Sequence, residues 1–253
     1  MAVNEQPTRE AFEGGRHPHD MDDADLARAR TEAPRPDLLD ELVATGRAVF
    51  GFFPNHYPYT LNYPWVLERL EPLPPGARVL DVGAGVCPLP IVLARRGLRV
   101  DCIDNSPMLR TMPVTAEWNE WGFFDYSTVD PHIRSYRREA HEHESAQRYD
   151  RVYSVSVLAH MRSLDRDKTV ERIPGWLKPG GRLLLAVDLL PKSDFLWNRS
   201  GGVEVEPPTE HGTVDDLLAS IEREGLRVTA STMRRTVHAS RTDLLFVEAV
   251  ARS

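Results

Sequence analysis

The sequence predicts an α/β fold: a mostly parallel sheet with helices on both faces, preceded by an N-terminal helical and aromatic cap. Three observations predict it. Residues 79–82 read as a short apolar strand that breaks at Gly83-Ala84-Gly85 and resumes as an apolar helix over 88–96. A second strand over 99–104 follows Gly97 and ends in the carboxylate of Asp104. Beyond it strand and helix patterns alternate, and parallel strands need such crossovers. In such sheets ligands lie over the carboxyl ends of the strands.

Taken in order, residues 1–22 are polar and mixed and read as a flexible tail. Residues 23–75 read as the cap. A short helix is expected over 23–30. A longer one over 37–50 carries Leu38, Leu39, Leu42, Val43 and Val49 at mostly helical spacing. The stretch 51–65 is dense in aromatics and prolines and reads as a lid leading into a helix over 65–70. Tyr57, Tyr59, Tyr63 and Trp65 stand just before the first strand, where they either line a site or pack a core.

The core domain is expected over 76–253. Glycine suits the bend because chain and ligand can approach where a Cβ would intrude, and the bend aims helix N-terminal amides at whatever lies above it. Gly97 fits a left-handed helix stop. Ser106 reads as the cap of a short helix ending before Pro113. Trp118, Trp121, Phe123 and Phe124 read as packing residues. A third strand over 132–137 has a weak apolar signal, and 139–144 reads as a solvated polar connection. A fourth strand over 151–157 is clear. A helix over 165–177, interrupted near Pro174, leads to a tight turn at 178–181 and a buried fifth strand over 182–188. The long loop 188–213, with Trp197, is of the kind that carries function. Thr213 to Asp216 resembles a capping box before a helix over 217–224. Strands over 226–234 and 243–251 close the chain.

The composition, 41% hydrophobic and 27% charged, is that of a globular protein. No apolar run approaches the roughly 18–20 residues that span a bilayer, and the first residues lack a signal-peptide pattern, so a cytoplasmic protein without membrane attachment is expected. The net charge of −7 argues against nucleic acid as a partner. Cys87 and Cys102 are the only cysteines, so a reducing compartment suits the chain, and no clustered Cys/His metal signature occurs. Both cysteines read as small packing residues.

The bend alone is weak evidence for a nucleotide. A dinucleotide fingerprint wants a third glycine where Pro88 stands, and Asp81 would repel a pyrophosphate. A carboxylate there favours a ligand with an ammonium group. Asp104 lies about 20 residues past the glycines, the spacing at which an acid grips ribose hydroxyls.

Val79-Leu-Asp-Val-Gly-Ala-Gly85, Asp104, the run Tyr149 to Leu158 and Leu177-Lys-Pro-Gly-Gly181 resemble, in order, the motifs of class I S-adenosylmethionine-dependent methyltransferases. The resemblance covers about residues 60 to 250. It implies a Rossmann-like, seven-stranded sheet with the last strand antiparallel, and S-adenosylmethionine as cofactor. By position, Asp81 would meet the methionine ammonium, and Gly83, Ala84 and Gly85 would pass under the cofactor. Asp104 would take the ribose hydroxyls, Asn105 would flank the adenine, and Glu139 would face its amino group. Ser156 and Val157 would lie beside the methionine portion. The chain departs from the pattern at Cys87, where a third glycine is common, and at Ala159-His160, which replaces a frequent Glu-His.

The expected activity is methyl transfer to an oxygen or nitrogen of a small molecule, of the kind met in specialised metabolism. His160 would serve as a base or pin its loop. Tyr59, Tyr63, Trp65, Asp188 and Trp197 are candidates for holding the acceptor, with Asp188 alternatively a strand cap. Methylation of RNA or protein, and a non-catalytic partner protein keeping the fold, are the alternatives. An NAD-dependent oxidoreductase is disfavoured by Asp81 and the missing glycine.

Overall fold

Seven strands of this computed structural model carry the expected pattern: β1 (Arg78–Val82), β2 (Arg99–Asp104), β3 (Ile133–Arg137), β4 (Tyr149–Val155), β5 (Leu177–Leu189), β6 (Leu226–Arg234) and β7 (Asp243–Ala251). Residues 15–200, 202–235 and 242–252 are described. The strands form one sheet in the order β6-β7-β5-β4-β1-β2-β3. The pairs β1–β4, β4–β5 and β2–β3 are parallel, whereas β7 runs antiparallel to both β5 and β6. That is the seven-stranded sheet with an antiparallel last strand that the resemblance implied. Two compact units divide the chain: Met1–Ala77 with Ala84–Arg137, and Arg78–Gly83 with Arg138–Ser253.

In the first unit, helices α1 (Asp23–Glu32), α2 (Pro36–Phe50) and α3 (Tyr59–Leu70) precede α4 (Leu89–Arg95), which packs on β2 and β3. The Asp22 carboxylate accepts the Asp25 amide and starts α1. Helix α2 buries Leu38, Leu39, Leu42, Val43, Val49 and Phe50 and stops at Gly51, in the left-handed region at φ 79°. Helix α3 begins at Tyr59, not at Trp65. Pro64 lies inside the helix, and burial of Leu61, Tyr63, Val66, Leu67 and Leu70 outweighs the bond proline cannot make.

Residues 1–14 of the expected tail lie outside the described residues. Within residues 15–22, which that expectation also took in, His17, Asp20 and Met21 are buried. The His17 ring stacks on Phe52 with centroids 4.4 Å apart, and buried Asp20 accepts the Phe53 amide and Arg47 Nε at 2.8 and 3.1 Å.

The short helix expected after Ser106 does not form. Asp104 Oδ1 takes the Ser106 amide and Ser106 Oγ takes the Met108 amide, so side chains satisfy the donors that a helix would use. Leu109–Arg110 instead pairs with Phe123–Phe124 in a two-stranded ribbon. Phe124 lies edge-on to Phe50, Trp118 and Tyr126, with centroids 5.0 to 5.6 Å away. Trp118 and Phe124 are thus packing residues, whereas Trp121 is 47% exposed.

In the second unit, α5 (Ser163–Trp176) packs on β4 and β5, and α7 (Val214–Arg223) on β6. Helix α5 runs through Pro174. Residues 178–181 bulge out of β5: the ladder steps from Tyr149 opposite Leu177 to Arg151 opposite Arg182. Thr213 and Asp216 close both bonds of the capping box at α7. The loop after β5 holds a ribbon, Arg199–Ser200 with Val203–Glu204, and the single turn α6 (Pro208–His211). His143 corrects the expected solvated connection: it is 1% exposed, its Nε2 lies 3.1 Å from the Tyr149 hydroxyl, and Trp176 Nε1 donates to its carbonyl. No helix of the described residues is long and apolar enough to cross a membrane.

Candidate functional site

The bend in the first unit is held by its own protein. The Ala84 amide donates to Ile103 O (3.1 Å), that of Gly85 to Asp104 Oδ2 (2.9 Å), that of Val86 to Glu120 O (3.0 Å), and that of Cys87 to the Tyr126 hydroxyl (2.8 Å). Pro88 and Pro90 have no amide hydrogen. The amides from Ala84 to Cys87 are thus used within the protein, and the next residue, Pro88, offers none. Gly85 has φ 51°, and a Cβ there would stand 2.6 Å from Glu120 O, so close backbone approach requires glycine.

Asp104 closes β2. Its Oδ2 takes the Gly85 amide and its Oδ1 the Ser106 amide, leaving one lone pair on each oxygen for a further donor. Burial pushes its carboxyl above the ordinary carboxylate range, and the Ser106 and Gly85 amides pull it partly back. Asn105 is exposed.

Helix α3 brings Tyr59 and Tyr63 into a stack, centroids 4.7 Å apart and planes within 7°. Tyr63 is buried, 4% exposed. Burial holds its pKa well above that of free tyrosine, so it remains a donor, with Cys87, Tyr59, Glu120 and Tyr126 as electrostatic neighbours. Trp65, by contrast, is covered by the Arg69 guanidinium 4.3 Å from its ring centroid.

In the second unit, Asp81 is 3% exposed on β1 and accepts the buried Tyr153 hydroxyl at 2.8 Å. Tyr153 lies opposite Asp81 in the β1–β4 ladder. Gly83, at φ 82°, faces Val157. Ser156 follows β4 in the left-handed region at φ 55°, where a non-glycine residue is strained. Its amide donates to Ala186 O, which holds the turn.

That turn directs Ser156 Oγ to Asp188 Oδ1 at 3.2 Å, while His160 Nε2 lies 3.2 Å from Asp188 Oδ2. Asp188 is 1% exposed. His160 Nδ1 lies 3.0 Å from Arg199 O. A carbonyl only accepts, so Nδ1 carries a hydrogen, and both ring nitrogens face acceptors. Trp197 is anchored through its amide on Asp188 O. A second histidine holds the same loop: His211, fully buried, has Nε2 2.8 Å from Ala159 O and Nδ1 3.0 Å from Glu206 Oε2.

Within the second unit the structure thus joins Ser156, His160 and Asp188, and sets Gly83 against Val157. In the first it joins Gly85 to Asp104 and Tyr59 to Tyr63. Glu139 is exposed, at the start of a 3-10 turn over Ala140–Glu142. Sequence reasoning missed Tyr126, Tyr153 and Glu120. Tyr153 was legible as the residue alternating with Arg151 on the strand beside Asp81. Glu120 acts through its carbonyl, which no side-chain pattern announces.

A family model described as a methyltransferase domain matches residues 55–229. The S-adenosyl-L-methionine-dependent Diels-Alderase iliD of Neonectria sp. (strain DH2) is 34% identical over 82 residues, 29% of this chain and 33% of that protein. The ubiquinone biosynthesis O-methyltransferase of Xanthomonas axonopodis pv. citri (strain 306) is 32% identical over 133 residues, 53% of this chain and 51% of that protein. The chain thus spans about half or less of these curated relatives. The crystal structure of the N-methyltransferase NodS from Bradyrhizobium japonicum WM9 with S-adenosyl-L-homocysteine superposes with a TM-score of 0.53 at 16% identity, over 76% of this chain and 86% of that one.

Proposed function

This chain belongs to the methyltransferase-domain family, and on that premise we propose that it transfers a methyl group from S-adenosylmethionine to an oxygen or nitrogen of a small molecule of specialised metabolism. One observation carries the choice of cofactor. The amides of Ala84, Gly85, Val86 and Cys87 are all bonded within the protein. A pyrophosphate needs such amides and a cationic nucleoside does not. Buried Asp81 points the same way, since it favours an ammonium and repels a phosphate.

The donor set fits S-adenosylmethionine. Asp104 retains a lone pair on each oxygen for the two ribose hydroxyls. Asp81 would hold the ammonium, with Tyr153 fixing its carboxylate. Gly83, Ala84 and Gly85 would lie against the cofactor, Ser156 and Val157 beside its methionine portion, Asn105 beside the adenine, and Glu139 toward its amino group. The bound cofactor supplies an electrophilic methyl on a sulfonium.

The residues here orient the acceptor, exclude water and handle its proton. Tyr59, Tyr63, Trp65 and Trp197 would hold the acceptor. Asp188 fixes the His160 ring through Nε2. His160 would take the acceptor's proton at Nδ1 only after that nitrogen has released its own hydrogen, now directed at Arg199 O, to solvent water. Acceptors that are already nucleophilic when neutral, such as amines, need no such base. Cys87 and Cys102, buried and not joined in a disulfide, support a reducing, cytoplasmic workplace, and the net charge of −7 supports a small-molecule partner over nucleic acid.

A second reading, cyclisation with the cofactor retained, is favoured by the occupied ring nitrogens of His160, because a pericyclic step moves no proton; one relative is named a Diels-Alderase. Incubation with methyl-labelled S-adenosylmethionine and a panel of phenols and amines tests the choice. Label on an acceptor, with stoichiometric S-adenosylhomocysteine, is expected. Tight cofactor binding with no label transferred to any acceptor would favour the second reading.

A further inference from the structure

Tyr126 lies 39 residues beyond Cys87 in sequence, yet its hydroxyl meets the bend three times. It accepts the Cys87 amide at 2.8 Å and faces Gly85 O at 2.9 Å and Cys87 O at 3.2 Å. The hydroxyl has one hydrogen, which is directed at the two carbonyls, while its oxygen takes the amide. We propose that Tyr126 is a positioning residue for the cofactor, fixing the backbone from Gly85 to Cys87; this rests on the reading of that bend as an S-adenosylmethionine site.

Two features of the first unit support it. The Tyr126 ring is 1% exposed and edge-on to Phe124 at 5.0 Å, and its own amide donates to Ser135 Oγ at 2.9 Å on β3, so the hydroxyl is aimed by packing. The opposite side of the bend is held by Glu120 O on the Val86 amide. Gly85, Val86 and Cys87 are therefore gripped from two neighbouring segments, while Asp104 grips Gly85 from β2. A site that must not rearrange on binding needs such support.

Two variants of the full chain separate positioning from packing. Tyr126→Phe removes the hydroxyl and keeps the ring; Phe124→Leu loosens the ring cluster and keeps the hydroxyl. Hydrogen exchange of the Cys87 amide without cofactor, calorimetric Kd for S-adenosylhomocysteine, and Tm are measured for each. Tyr126→Phe is expected to speed exchange at Cys87 and weaken binding about tenfold, the size of one lost buried hydrogen bond. Phe124→Leu is expected to lower Tm with Kd within about twofold of wild type. A Tyr126→Phe Kd within about twofold of wild type overturns the role of Tyr126 alone, as does an equal loss of affinity in both variants. A wild type that binds no S-adenosylhomocysteine overturns the cofactor reading and this role with it.

Discussion

The Gly83 α-carbon faces the isopropyl group of Val157: a Cβ on Gly83 would stand 2.3 to 2.8 Å from that side chain. The same glycine has φ 82°, which L side chains rarely adopt. Gly83→Ala therefore meets two separate penalties. It is expected to lower unfolding free energy by about 2–4 kcal/mol in urea titrations. Val157→Ala in the same chain removes the two γ-methyl clashes but keeps its own Cβ 2.8 Å from the added one, so it should return only part of the steric penalty and leave more than the about 1–2 kcal/mol of backbone strain. Complete recovery in the double variant would show that the backbone strain is absent.

Asp104 titrates above the ordinary carboxylate range because it is buried. The folded chain then holds this proton more tightly than the unfolded chain, so this group favours folding most at low pH and costs stability as pH rises through its raised pKa. Cofactor binding runs the other way, since a protonated carboxyl loses acceptor capacity. Affinity for S-adenosylhomocysteine is expected to fall as pH drops from about 7 to 5, and Asp104→Asn should flatten that slope. Parallel slopes in the two proteins would assign the titration to another group.

His160 joins Asp188 to the Arg199 carbonyl. Arg199 is exposed and offers a tryptic site. His160→Ala removes one tie on that segment and is expected to speed limited tryptic cleavage after Arg199 about three- to tenfold, from a bond worth about 0.5–1.5 kcal/mol. An unchanged cleavage rate would mean that His211 alone holds the loop.

His17 accepts the His19 amide on Nδ1 at 3.1 Å, so its Nε2 donates to Thr115 O at 3.0 Å. Burial holds its pKa below 6.5; nearby His19 also lowers it, against the raising effects of Thr115 O and Asp20. The neutral ring is thus the folded form. Its contribution to stability is present above the ordinary histidine pKa and is lost as pH falls through the depressed one. Between about pH 7.5 and 5.5 the Tm of wild type should fall more than that of His17→Gln. Equal falls would show that the ring is not titrating against its contacts.

The strands were legible because burial writes itself in period and composition. The run Leu244-Leu-Phe-Val247 lies in β7, flanked by β5 and β6, while the polar alternation of β6 marks an edge. The glycine bend and Asp104 were legible because backbone conformation and a strand-end acid constrain residue type. The helix start at Tyr59 was hidden by Pro64, whose local cost is overridden by packing. The lost helix after Ser106 was hidden because side-chain acceptors replaced helical bonds. Contacts such as Tyr126 with Cys87, far apart in sequence, leave no local trace.

Titration calorimetry with S-adenosylhomocysteine, run beside NAD and beside Asp104→Ala, reads the cofactor assignment most directly. One site for S-adenosylhomocysteine is expected, with no NAD heat and affinity at least about tenfold weaker in Asp104→Ala, as for a lost charge-assisted hydrogen bond. Saturable NAD binding, or wild-type and Asp104→Ala affinities that coincide, would contradict it.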